Sequence, residues 1–286
     1  MTHKRYVSSD EDSARFRDGD IVISTRSKSG TTWMQMICAL LIFQTPRLPA
    51  PLPTLSPWLD WLVEPRDEVI ARLAAQPHRR FVKTHTPLDG VPIDPRATYI
   101  VVARHPLDLA VSLFHQGANL DRQRLAALTG TPAGVERPAP PVLDALLSWI
   151  DHDPAPADEL DSLPGVMWHL SDAWRRRHEP NVLLVHYADL SADLDGEMRR
   201  IAARLGVPVP AETWPELVDA AGFSQMRARA GELAPDPAGV LKDRNAFFRS
   251  GRSGAGRDLL SDEQYAHYLD RTAALGPPDL RDWLHR

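Results

Sequence analysis

Lys28, Ser29, Gly30, Thr31 and Thr32 place one cation, one glycine and three hydroxyls in consecutive positions, with four residues between them and the apolar run Ile21–Ile23. An apolar helical pattern follows at once. A strand that turns through such a loop into a helix aims backbone N–H groups and the helix N-terminus at one point, which suits a phosphate or another oxyanion. Lys28 adds a mobile charge, and the hydroxyls add donors. The loop is not a Walker A loop, G-x-x-x-x-G-K-[ST], because Lys28 precedes the only glycine and no second glycine opens it. Stripped of its surroundings, it would be a polar strand–helix turn.

Two further groups sit at the ends of apolar runs. Phe81-Val-Lys-Thr-His-Thr-Pro87 delivers Lys83 and His85 to a strand end, with Pro87 stopping the strand. A histidine there can take a proton from an alcohol or phenol, since its ordinary pKa lies near neutrality. Alone, one of 11 histidines reads as a surface side chain. Tyr99-Ile-Val-Val-Ala-Arg-His-Pro-Leu-Asp-Leu-Ala-Val-Ser112 ends a strand at Arg104 and brings Ser112 two turns into the next helix. Arginine offers a bidentate fork for phosphate and serine a donor.

The elements that must position these groups are β-rich runs at Ile21–Ser24, Arg80–Thr84, Thr98–Ala103 and Asn181–His186. They are short and almost continuously apolar, as strands buried on both faces of a parallel sheet are. Helical patterns at Thr32–Phe43, Pro106–Gln116 and Ala192–Leu205 alternate with them, which implies a layered α/β fold with right-handed crossovers. Ligands of such folds bind at the carboxyl ends of the strands. Proline clusters at Thr45–Pro57, Thr131–Pro141 and Asp151–Pro164 read as loops. The stretch from Gly117 to Pro164 carries one helical pattern, Val142–Ile150, and is expected to be an acceptor-side loop or lid within a single domain of residues 1–286.

Lys28-Ser-Gly-Thr-Thr-Trp33 resembles the 5′-phosphosulfate loop of sulfotransferases that use 3′-phosphoadenosine-5′-phosphosulfate (PAPS). Lys83-Thr-His-Thr-Pro87 resembles their Lys-Thr-His-x-Pro segment, whose histidine is the general base. Arg104 and Ser112 match their 3′-phosphate site. Tyr187, in Val185-His-Tyr-Ala-Asp-Leu190, matches a tyrosine that contacts adenine, and Trp33 is placed to stack there. Phe247-Phe248-Arg249-Ser250-Gly251-Arg252-Ser-Gly254 resembles the loop that wraps the 3′-phosphate. Ser250 stands where that family usually has lysine, and Arg252 is expected to compensate. Ala221-Gly-Phe-Ser-Gln-Met226 matches a further run at Phe223 and Met226, with its hydroxyls replaced by Ala221 and Gly222.

The resemblance implies a P-loop-like three-layer α/β sandwich with a central, mainly parallel sheet flanked by helices. It implies sulfuryl transfer from PAPS to a small hydroxyl acceptor without a metal. Lys28 would act at the leaving phosphate, with Lys83 near the sulfuryl oxygens and His85 as base. Ser29, Gly30, Thr31 and Thr32 would hold the 5′-phosphate, and Arg104, Ser112, Arg249, Ser250 and Gly251, beside Phe248, the 3′-phosphate. A nucleoside-triphosphate-dependent kinase and a non-catalytic nucleotide-binding protein remain the alternatives. Trp58 and Trp61, with Phe114 and His115, are expected to line an apolar acceptor pocket near His85. Core or lid packing explains the tryptophans equally well.

At 286 residues, 43% hydrophobic and 25% charged, the chain has ordinary globular composition. A formal charge of −5 argues against a nucleic-acid partner. The single cysteine, Cys38, lies in an apolar helical stretch and reads as an inert buried thiol. No apolar run reaches membrane-span length, and the N-terminal residues lack the apolar stretch of a signal peptide, so a cytoplasmic protein is expected. A homodimer is one candidate assembly. No Cys/His group has metal-ligand spacing. His152, His169 and His178 read as surface side chains, and Arg175–His178 as a solvated helix end.

Overall fold

A computed structural model describes residues 15–61, 63–130, 132 and 138–286. Four parallel strands, β1 (Ile21–Thr25), β2 (Phe81–Thr84), β3 (Thr98–Ala103) and β4 (Val182–His186), form one sheet in the order β2-β1-β3-β4. Alternate side chains point to opposite faces of a strand. Ile21, Ile23, Ile100, Val102, Leu183 and Val185 therefore enter one core, with the helices Thr31–Phe43, Leu194–Leu205 and Trp214–Ala221. Val22, Tyr99, Val101, Ala103 and Val182 enter the other, with Pro106–Asn119, Leu163–Arg175 and Asp262–Leu275. Helix, sheet and helix make three layers, as the resemblance implies. Both faces are covered, which is why the strands carry no polar alternation.

This strand order has a consequence for the site. The chain leaves β1 across one face and β3 across the other, so the crevice beyond the carboxyl ends of β1 and β3 is a switch point where ligands bind. The loop after β1 lies there, flanked by the ends of β2 and β3. All three chemical groups converge on that edge.

Several helices depart from the sequence reading. Arg122–Thr129 is a helix inside the Gly117–Pro164 stretch, capped by Asp121, which accepts from Arg124 N at 2.8 Å, and closed by Gly130 at φ 65°. It buries no side chain, so no periodicity announces it. Leu52–Leu55 forms a short helix in the first proline cluster, and Leu163–Arg175 opens within the last. Prolines 53 and 164 occupy first turns, where no N–H is needed. The expected helix Ala192–Leu205 is split, because Asp193 caps a new helix at Gly196 N, and Tyr187 opens the short helix before it.

Cys38 is buried, and burial pushes its thiol up to about 12, as an inert side chain requires. His169 is a correction: it is fully buried below the strand ends, with Nε2 3.4 Å from Ser24 Oγ, while His152 and His178 are exposed. The first residues of the chain and most of Thr131–Pro141 lie outside the described residues. Among the described residues no helix is long and apolar enough to cross a membrane.

Ile100 sits fully buried on β3, between both neighbouring strands. Ile100→Ala should lower unfolding free energy by about 2–5 kcal/mol in urea titrations with an unchanged slope, the usual cost of such a core deletion. A cost under about 0.5 kcal/mol would contradict the packing described.

Candidate active site

The loop after β1 is built around two left-handed backbone positions, Lys28 at φ 64° and Gly30 at φ 103°. A Cβ on Gly30 would lie 3.0 Å from the Tyr187 ring, so glycine both permits the turn and makes room. The helix begins at Thr31 with no side-chain cap, leaving its first N–H groups to the cavity. Thr31 bonds the hydroxyl of Thr25. The buried Thr32 Oγ1 has no protein partner. An oxyanion would supply one. Ser29 is buried and, unlike Lys28, Gly30, Thr31, Thr32 and Trp33, does not reach the cavity wall.

Three cations meet around this loop. Lys28 Nζ lies 3.7 Å above the Phe247 ring and 3.3 Å from Gln116 Oε1. Burial, with Arg104, Lys83 and Arg249 nearby, lowers its pKa to about 7. Lys83 Nζ lies 4.0 Å over the Trp58 ring, and burial lowers its pKa to about 8 against the pull of Asp60. The Arg104 guanidinium donates to Lys28 O at 3.2 Å and Arg252 O at 3.0 Å, and stacks 4.4 Å from Tyr187. Its buried Nε has no partner.

His85 is buried beside these cations. Its Nδ1 lies 2.6 Å from Thr25 O. A carbonyl only accepts, so Nδ1 carries the proton and Nε2 the lone pair, on a ring that lines the cavity. Burial first, then Lys83 and Arg26, hold its pKa well below the usual histidine value. His85 is therefore a neutral imidazole at neutral pH. Its backbone is also held: Asp60 accepts from His85 N at 3.1 Å, and Arg26 donates to His85 O.

On the other flank, Ser112, Phe223, Phe248, Arg249, Ser250 and Gly251 reach the same wall as Arg104 and Tyr187. Gly251 has φ 64°, and a Cβ there would strike the Phe223 ring at 2.5 Å. The loop is anchored by buried Asp108, which accepts from Gly254 N at 2.8 Å and Gly256 N at 2.9 Å. Arg252 does not compensate for Ser250 as expected: its side chain is exposed and off the wall, and only its carbonyl faces Arg104. Trp33 packs edge-on against Tyr187 at 5.2 Å and donates from Nε1 to Ala221 O at 2.8 Å.

The cavity, about 930 Å³ in volume, is lined not only by His85 but also by Trp58, Trp61, Val63, Leu113, Leu120, Leu125 and Leu128. Trp58 and Trp61 stack in parallel at 5.3 Å. Phe114 and His115 do not line it. Leu113, Gln116, Gly117 and Leu120 do, because steps of three and four return to one helix face. The sequence reading missed Arg26, Asp60, Asp108 and Asp161. The Asp108 anchor alone had a local sign, a carboxylate in the first turn after Arg104.

Residues 18–274 match a family model described as "Sulfotransferase domain". A glycolipid sulfotransferase of Mycobacterium bovis is 42% identical over 294 residues, covering 96% of this chain and 90% of that protein. One from Mycobacterium tuberculosis is 41% identical over 293 residues with the same coverage. Among solved structures, retinol dehydratase in complex with androsterone and the inactive cofactor PAP superposes with a TM-score of 0.69 at 23% identity, covering 92% of this chain and 84% of that one. A mouse sulfotransferase complexed with PAP gives 0.69 at 20% identity, covering 100% and 95%. Both likenesses are of fold.

Lys28, at about 7, is mostly neutral at pH 8, and an adjacent phosphate raises its pKa. Binding of adenosine 3′,5′-bisphosphate (PAP) at pH 8 should therefore take up roughly one proton more in the wild type than in Lys28→Met. The difference should shrink at pH 6, where Lys28 is already charged. Calorimetry in buffers of different ionisation enthalpy measures this. Equal uptake by both proteins at pH 8 would mean that Lys28 does not meet the phosphate.

Proposed function

The chain belongs to the sulfotransferase family, and on that premise we propose that it moves the sulfuryl group of PAPS to a hydroxyl on an acceptor with a bulky apolar body. The observation that supports this best is the group of buried or half-buried cations, Lys83, Arg104 and Lys28, that have no carboxylate ion pair among the described residues, around the uncapped start of the helix at Thr31, with neutral His85 beside them. The orphaned Thr32 Oγ1 and Arg104 Nε fit an anionic nucleotide, because each lacks a partner that a phosphate oxygen provides.

PAPS supplies an electrophilic sulfur and a phosphate leaving group. Gly30, Thr31 and Thr32 would hold the 5′-phosphate, while buried Ser29, off the wall and with its N–H donated to Arg26 O at 3.2 Å, would brace the loop. Arg104, Ser112 and Arg249 would read the 3′-phosphate, with Ser250, Gly251 and Phe248 shaping the loop and Trp33, Tyr187 and Phe223 flanking the base. His85 Nε2 takes the acceptor's proton as its oxygen attacks sulfur. Lys28 neutralises the charge that grows on the phosphate oxygen as the old S–O bond breaks, and Lys83 faces the sulfuryl oxygens. Both lysines have lowered pKa values that the donor's charge would restore. The apolar walls beyond His85 suit an alcohol, phenol or lipid tail, which agrees with the glycolipid sulfotransferases 41–42% identical to this chain.

His85→Ala should lower kcat by about 10²–10⁴ at saturating donor, the usual loss of a positioned base, with PAP affinity changed less than about threefold. The wild-type kcat should show no acidic limb near pH 6.5. The active form is neutral histidine, and its lowered pKa moves protonation to lower pH. Near-normal turnover of a high-pKa alcohol by His85→Ala would remove His85 from this role.

A further inference from the structure

Arg26 is unlike the other cations at this edge. It is 1% exposed and is the largest fully buried side chain among the described residues. It sits in the loop of the donor site, yet its guanidinium turns to the base: Nη1 donates to His85 O, and Nη2 donates to Asp161 Oδ1 at 2.6 Å. Its buried Nε has no partner. The residue before it, Thr25, provides the carbonyl that fixes the His85 tautomer, and the residue after it, Ser27, donates to Asp161 Oδ2 at 2.8 Å. Asp161 itself lines the cavity, and its carbonyl accepts from Trp149 Nε1 at 2.9 Å.

We propose that Arg26 and Asp161 are positioning residues for the His85 base, through which the acceptor-side segment sets where the base stands. This rests on His85 being the base. A buried guanidinium without its carboxylate is costly, so Arg26 keeps its place only while Asp161 is in reach. While it stays, His85 O, Nδ1 and N are held by Arg26, Thr25 and Asp60, and the ring cannot turn its lone pair from the cavity. The charged or titratable groups facing His85 are Arg26, Lys83, Asp60, His169 and, through Arg26, Asp161.

Asp161→Asn should reduce kcat by roughly tenfold or more while PAP affinity, read calorimetrically, changes less than threefold. To separate this from loss of folding, the neutral pair Arg26→Met with Asp161→Leu removes both charges together and should keep the melting temperature near wild type. In that double variant kcat should stay at least tenfold down. The acidic limb should move toward higher pH, because a cation next to His85 is gone. Long-range ¹H–¹⁵N spectra should show His85 as a single Nδ1–H tautomer in the wild type and a mixture in the double variant. A stable double variant with wild-type kcat, acidic limb and tautomer would overturn the proposal and leave the pair a fold contact. If the wild type transfers no sulfuryl group, the functional reading fails, and the tautomer comparison still tests the positioning.

Discussion

The positive charge of Lys28, Lys83 and Arg104 at the carboxyl edge of the sheet, with no carboxylate among the described residues in ion-pair contact to balance it, is the constraint on which the site depends. Among the described residues Lys28 and Arg104 have neutral partners alone: an amide oxygen, two carbonyls and two aromatic faces. Removing a cation from water costs several kcal/mol unless something compensates, and lysine responds by shedding its proton. Lys28 and Lys83 show that response, at about 7 and about 8. A polyanionic nucleotide is the complement of such a site. Arg26 makes the contrast: it has a carboxylate partner, Asp161, and donates to the His85 carbonyl.

The sheet order makes this concentration of charge reachable from distant parts of the chain. β1 lies between β2 and β3, so the Lys28 loop, His85 and Arg104 emerge side by side although they span nearly eighty residues. β4 then adds Tyr187 against Arg104. The same packing that covers both faces of the sheet keeps water out below the strand ends. Electrostatic contacts there are correspondingly stronger than at an open surface.

What the sequence disclosed was local. The loop Lys28–Trp33, the Lys83/His85 pair and the Arg104–Ser112 spacing are contiguous, and each follows an apolar run, so both the fold class and the core of the site were readable. What escaped depends on tertiary contact. Arg26 and Asp161 stand 135 residues apart, and Asp60 reaches His85 across 25. His169 carried no local sign of burial. Phe114 and His115 lie off the cavity because Leu113, Gln116, Gly117 and Leu120 hold the helix face that lines it, and Arg252 presents its backbone carbonyl to Arg104. The helix Arg122–Thr129 was missed because its signals were caps, without an apolar face.

The most direct test is labelled sulfuryl transfer from PAPS, with EDTA present, to a series of alkyl glycosides and alcohols of increasing chain length, with PAP release followed in parallel. The account predicts label on the acceptor hydroxyl, one PAP released per product, and kcat/KM that rises with apolar length until the cavity beyond Trp58 and Leu113 is filled. Tight PAP binding without label transfer to any hydroxyl, or phosphoryl transfer from ATP that requires Mg²⁺, would contradict it.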